Sequence, residues 1–166
     1  RLNLDRWITE GTDPPPSRHP RFSDATAVER EKVVAAFARL PSLEPPDPAR
    51  LPFIRTIDMG GDEATGIARY PAREGAFYPA IVSAVDAEGN ETAGVRLPDI
   101  TVPVGTHTGW NPRDPVTGSP EQIVPMNGLT LFFAPDERTR VAKGDPRRSL
   151  AERYRDAKDY EAKVRA

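Results

Sequence analysis

Two histidines and no cysteine set the chemistry open to this 166-residue chain. Without cysteine there is no disulfide, no thiol nucleophile and no Cys-ligated zinc. His19 sits in a Pro-rich stretch and reads as a surface residue. His107 has richer company, with Thr106, Thr108, Trp110, Asn111, Arg113 and Asp114 beside it. That mix builds a polar pocket with one aromatic wall. The same residues also fit a packed loop, anchored by Trp110 and turned at Asn111-Pro112. The pocket candidates are therefore His107, Thr108, Trp110 and Asn111, with the packed loop as the competing reading.

Complete catalytic sets are missing. No Gly-x-Ser-x-Gly nucleophile elbow occurs, and neither histidine has a serine or cysteine placed beside it for a dyad. The histidines are too isolated for a zinc site. Asp86, Glu88, Asn90 and Glu91 look superficially like a calcium loop, but the spacing departs from the EF-hand and a hairpin turn explains all four. Gly60-Gly61 is too short to cradle a phosphate. Asp62-Glu63 is the closest carboxylate pair, and nothing in the sequence places it in a cleft. The expectation is no catalytic residue, no metal and no cofactor within the chain.

The elements that must position these residues are constrained by proline. There are 19 prolines, about 11% of the chain against a usual ~5%. Proline removes a backbone donor and breaks helices and central strands, which argues against a coiled coil, a helical bundle and a doubly wound α/β domain. The hydrophobic share is 37% and the mean hydropathy −0.57, low for a tightly packed globule. The net charge is −2 with signs interspersed, so no stripe tracks a phosphate backbone and nucleic acid is not an expected partner. No apolar run approaches ~18 residues, so no membrane span is expected. The 19 arginines against 4 lysines read as coding bias. The chain starts without Met and ends inside a helical pattern, as a piece of a longer protein would.

Four stretches follow. Residues 1–11 hold a short helix with Leu4, Trp7 and Ile8 on one face and Gly11 as its C-cap. Residues 12–52 form a Pro-rich linker with an amphipathic helix between Ala25 and Leu40. Residues 53–135 read as short strands. The clearest hairpin pairs Ala80–Val85 with Thr92–Leu97 across a Gly89-Asn90 loop, and Asp99–Val104 adds an extended edge. Gly105–Gln122 reads as a long polar loop without regular structure. Residues 136–166 are helical. Ser149 and Glu152 form a capping box, and Asp156 with Asp159 offers a second cap, so two helices meet near Arg155. The fold class expected is irregular α+β, with short antiparallel hairpins, short helices and long Pro-rich extended segments.

The order of motifs adds a resemblance. Leu4-Asp5-Arg6-Trp7-Ile8, Gly11-Thr12 and Pro14-Pro15-Pro16-Ser17-Arg18 come first. Val85-Asp86-Ala87-Glu88-Gly89-Asn90-Glu91 and Ala93-Gly94-Val95-Arg96-Leu97-Pro98 follow, then Val102-Pro103 and Thr108-Gly109-Trp110-Asn111. Gly144-Asp145-Pro146-Arg147, Ser149-Leu150 and Glu152-Arg153-Tyr154 close the series. From Leu4 to about Val164 it resembles the C-terminal part of a bacterial family of alpha/beta-hydrolase domain-containing proteins. The resemblance implies an esterase-like serine hydrolase as the parent, with this chain a fragment of it. The nucleophilic serine, the acid and the catalytic histidine would then all lie upstream of Arg1. It also implies tyrosine at the places of His19 and His107 in family members, which argues against either as the catalytic base. The expected role is a non-catalytic segment that covers the hydrolase core and helps wall the substrate pocket. Its partners would be that upstream core and a small-molecule ester. The alternative is a free-standing ligand-binding or protein-interaction module. Neither a cytoplasmic nor an exported location is selected.

Overall fold

The structure, a computed structural model, describes every residue except Ser42 and Glu121, and every side chain except those two and Glu63 and Pro125. The expected 105–122 loop thus has Glu121 outside the described residues, and the Asp62-Glu63 pair has the Glu63 side chain outside them.

Helix α1 spans Leu2–Glu10 and ends where Gly11 takes a left-handed φ of 67°. Its apolar residues Leu4, Trp7 and Ile8 are all exposed. The expected helix over residues 25–40 is shorter. The chain first forms strand β1, Ala27–Glu29, and only then helix α2, Arg30–Phe37. The Arg30 amide donates to the Ala80 carbonyl at 2.8 Å, so the strand's ladder continues into the first residue of the helix.

Strands β2, Arg55–Asp58, and β3, Arg73–Phe77, pair as an antiparallel hairpin. Strand β4, Ile81–Ser83, corrects the hairpin expected from the sequence. It pairs with β1, with Ala27 opposite Ser83 and Glu29 opposite Ile81. Only the turn of that hairpin forms: Val85 and Glu91 make a single bridge, and the Asp86 amide donates to Asn90 O at 2.8 Å. Residues 92–97 then form no strand, because Gly94 at φ 87° turns the chain aside. The stretch Asp99–Val104, expected to be extended, opens instead inside helix α3, Pro98–Thr101. Proline at its first position is preorganised for a helix and gives up an amide that would be orphaned anyway.

The polar loop expected at 105–122 is paired in its first half and holds a 3-10 turn, Pro115–Thr117, in its second. Strand β5, Gly105–His107, and strand β6, Trp110–Pro112, lie in it. Strand β7, Ile123–Pro125, pairs with β6, and strand β8, Thr130–Phe132, pairs with β5. Helix α4, Glu137–Ala142, is capped by Asp136, whose carboxylate accepts from the Thr139 amide at 2.7 Å. Helix α5, Leu150–Arg153, carries the expected capping box: Glu152 Oε2 accepts from the Ser149 amide at 2.7 Å. Helix α6, Ala157–Arg165, starts at Asp156, whose side chain accepts from the Asp159 amide at 2.8 Å.

The architecture is therefore α+β. All four sheets among the described residues are two-stranded and antiparallel. The apolar core is a cluster of Phe37, Leu40 and Leu43, against which Val33, Val85, Trp110, Leu129 and Leu131 pack. Among the described residues no helix is long and apolar enough to cross a membrane.

Candidate functional site

A cavity of about 380 Å³ lies between α2, β4 and the β5–β6 segment. Helix α2 contributes Arg30, Val33, Val34 and Phe37, and the stretch after it contributes Leu51 and Pro52. Val82, Ser83 and Val85 form a second wall, and His107, Thr108, Gly109 and Trp110 a third. Of the four pocket candidates, His107, Thr108 and Trp110 therefore meet at one cavity. Asn111 is not among its lining residues; it pairs with Val124 between β6 and β7. His19 is exposed and lies on a separate shallow surface with Arg18, Arg21 and Asp24.

Each wall is fixed by a local cause. The β1–β4 ladder joins the segments that carry Arg30 and Ser83, 53 residues apart in sequence, and both residues line the cavity. The His107 wall is held by a fully buried asparagine. Asn90 Nδ2 donates to Gly105 O at 3.0 Å, and its Oδ1 accepts from the His107 amide at 2.9 Å. Asn90 is in place because Gly89 makes the tight turn at φ 83°, and a Cβ on Gly89 would come within 2.9 Å of Thr106 Cγ2. Thr108 locks to the opposite strand: its amide donates to Leu129 O at 3.0 Å, and its hydroxyl accepts from the Leu129 amide at 3.2 Å and donates to Trp110 O. Trp110 meets Phe37 edge to face, with centroids 5.6 Å apart. The wall is thus continuous with the core, and His107, Thr108, Gly109 and Trp110 line the cavity.

Three polar atoms on this lining stand out. Arg30 Nε, Ser83 Oγ and His107 Nε2 are sealed from solvent and hydrogen-bonded to nothing among the described residues. Ser83 and His107 therefore do not form a serine–histidine pair. His107 Nδ1 lies 3.2 Å from Thr130 Oγ1, which leaves Nε2 as the free end of the ring. Arg30 donates through its terminal nitrogens to Pro52 O at 3.1 Å and Pro48 O at 3.4 Å, and its guanidinium lies 4.2 Å over the Phe53 ring. Reading along the sequence misses Arg30 and Ser83. Arg30 is disguised in the charged run Glu29-Arg30-Glu31-Lys32. Ser83 gives a faint signal as the one polar residue in Ile81-Val82-Ser83-Ala84-Val85.

No group of three or more His, Asp or Glu among the described residues is arranged to hold a metal ion. A family model described as the alpha/beta hydrolase domain matches residues 1–166, the whole chain. The chain belongs to the alpha/beta hydrolase domain family. Comparison with curated proteins and with solved structures returns no match. The family assignment agrees with the resemblance carried by the ordered motifs. The antiparallel pairs described here are thus how a member of this family folds over these residues, without a parallel strand among those described.

Proposed function

We propose that the chain is a non-catalytic segment of an esterase-like serine hydrolase, and that its 105–111 wall borders the substrate pocket. The family match over residues 1–166 carries the hydrolase part of this reading. The non-catalytic part rests on the ordered motifs, whose resemblance is to the part of such hydrolases that follows the catalytic residues. In this reading residues 1–11 are the last helix of the upstream core and 12–52 a linker. Residues 53–135 form the short-stranded region and 136–166 the helical end. The exposed apolar face of α1 fits docking on such a core. The cavity itself favours a second reading, a free-standing ligand-binding module.

The test is an esterase assay on the 166-residue chain with a p-nitrophenyl ester, alongside labelling by a serine-reactive fluorophosphonate. Neither turnover above buffer nor a covalent adduct is expected. Turnover together with an adduct on Ser83 would make the chain an enzyme in its own right and overturn the non-catalytic reading.

A further inference from the structure

We propose that the cavity between α2, β4 and the β5–β6 segment binds a monocarboxylate with an apolar tail, its carboxylate held by Arg30 with help from Ser83 and His107. The inference rests on the pocket reading above and names the ligand that pocket takes.

Charge selects the head group. Arginine is always protonated and can only donate. The Arg30 side chain is 11% exposed, and the two carbonyls that its terminal nitrogens meet are neutral. Glu31 Oε1 stands 3.7 Å from Nε, beyond hydrogen-bond reach, on a side chain that is 54% exposed. The cation is thus mostly buried with one donor unused, an arrangement that a ligand anion relieves and a neutral group relieves only in part. Ser83 and His107 add two more unpaired atoms on the same lining. The Ser83 side chain is short, so a turn about χ1 presents its hydroxyl to the void. In the tautomer in which Nδ1 accepts from the Thr130 hydroxyl, Nε2 carries the proton and is a third donor. Three donors without acceptors call for a group with several lone pairs, and a carboxylate has them.

The rest of the cavity selects the tail. Val33, Val34, Phe37, Val82 and Trp110 give it apolar walls. Its volume of about 380 Å³ is at the small end for ligand pockets. Glu91, an exposed residue, is on the lining, and its charge disfavours a second anionic group on the ligand. One charged end and one greasy end follow.

Octanoate, octanol and octylammonium are the probes, titrated into the ¹⁵N-labelled chain. The two tryptophans report separately, since Trp110 lines the cavity and Trp7 is exposed on α1. Octanoate is expected to move the Trp110 indole signal saturably and leave Trp7 in place. Octanol should bind about tenfold more weakly or worse, the loss of a charge-assisted hydrogen bond. Octylammonium should not bind. Arg30→Met should bring octanoate down to the affinity of octanol and leave octanol within about twofold. Ser83→Ala should weaken octanoate by a few fold. Equal binding of octanoate and octanol, preference for octylammonium, or a Trp110 signal that does not move would each overturn the proposal. If Arg30→Met fails to fold, the ratio among the three probes on the unaltered chain decides alone. Binding is read here without turnover and the esterase assay without octanoate, so this inference and the hydrolase reading fail separately.

Discussion

The segment from Asn90 to Arg153 and the two arms, residues 1–26 and 53–79, solve burial in opposite ways. The first buries polar groups and bonds nearly all of them, His107 Nε2 being an exception. Arg147, 4% exposed, forms a two-pronged pair with Asp145 through Nε at 2.9 Å and Nη2 at 2.7 Å. Its remaining nitrogen donates to Thr106 Oγ1 at 2.8 Å and Leu131 O at 3.0 Å, tying the 144–149 turn to the β5–β8 pair. Ser149, Thr106 and Asn90 have no solvent exposure at all. The arms do the reverse, leaving Trp7, Ile8, Ile54, Ile57, Ile67 and Tyr70 in water. The β2–β3 arm is held by a few aromatic and charged contacts: Phe53 meets Phe77 at a tilt with centroids 5.2 Å apart, Arg55 lies 4.2 Å over Phe77 and pairs with Glu74, and Arg30 of α2 lies over Phe53. The contrast teaches that the 90–153 segment is held by a polar knot while the arms bury no described side chain; exposed apolar residues occur in both, Val116 and Phe132 in the segment among them.

The largest effect should come from breaking the knot. Arg147→Met leaves Asp145 buried without its cation and Thr106 without a donor. A loss of about 3–5 kcal/mol is expected, read as a fall in the urea midpoint. Replacing both partners, as Asp145→Leu with Arg147→Met, should recover part of it, because no charge is then stranded. A single variant that loses less than about 1 kcal/mol would mean the knot is ornamental and the comparison false.

Acid should loosen the same region by a smaller amount. Burial pushes the Asp145 carboxyl up, but the hydrogen bonds and charge of Arg147 outweigh it and hold it below the usual carboxylate range. A carboxyl lowered in the folded state binds fewer protons there than in the unfolded chain. Its contribution is therefore fully present above the unfolded value near 3.9 and is lost as pH falls through the folded value. Urea midpoints measured from pH 6 downward should fall, and Asp145→Asn should flatten that fall. An unchanged slope in Asp145→Asn would move the acid sensitivity elsewhere, to carboxylates such as Glu152 that are also lowered, there by the Ser149 cap.

What the amino-acid order reveals tracks the range of the interaction. The caps at Gly11, Ser149 and Asp156 are local, a few residues each, and are legible directly. The β1–β4 pairing joins residues 27–29 to 81–83, and a nearby Gly89-Asn90 turn advertises a hairpin that competes with it on paper. The β5 and β6 strands hide in a run of Gly, Thr and Pro, because their strand character comes from β8 and β7 and not from their own composition. The cavity is half legible for the same reason. His107, Thr108 and Trp110 are neighbours in sequence, whereas Arg30 and Ser83 reach them only through the fold.

The smallest effect should come from the arms, and it is the sharpest check on the contrast. Ile57 sits on β2 with 60% of its surface in water. Its strand partner across the hairpin is Glu74, and the pairing holds through backbone bonds that a side-chain change leaves intact. Ile57→Ser therefore removes little buried area from this chain, and its urea midpoint should shift by no more than about 0.5 kcal/mol. An exposed isoleucine retained at no benefit to the isolated fold is what a docking surface looks like. The same substitution, made in a protein that includes the proposed upstream core, should then cost more than it does here. Equal and negligible cost in both settings would leave the β2–β3 arm with nothing to dock on, while a large cost in the chain alone would show that the arm belongs to the core after all.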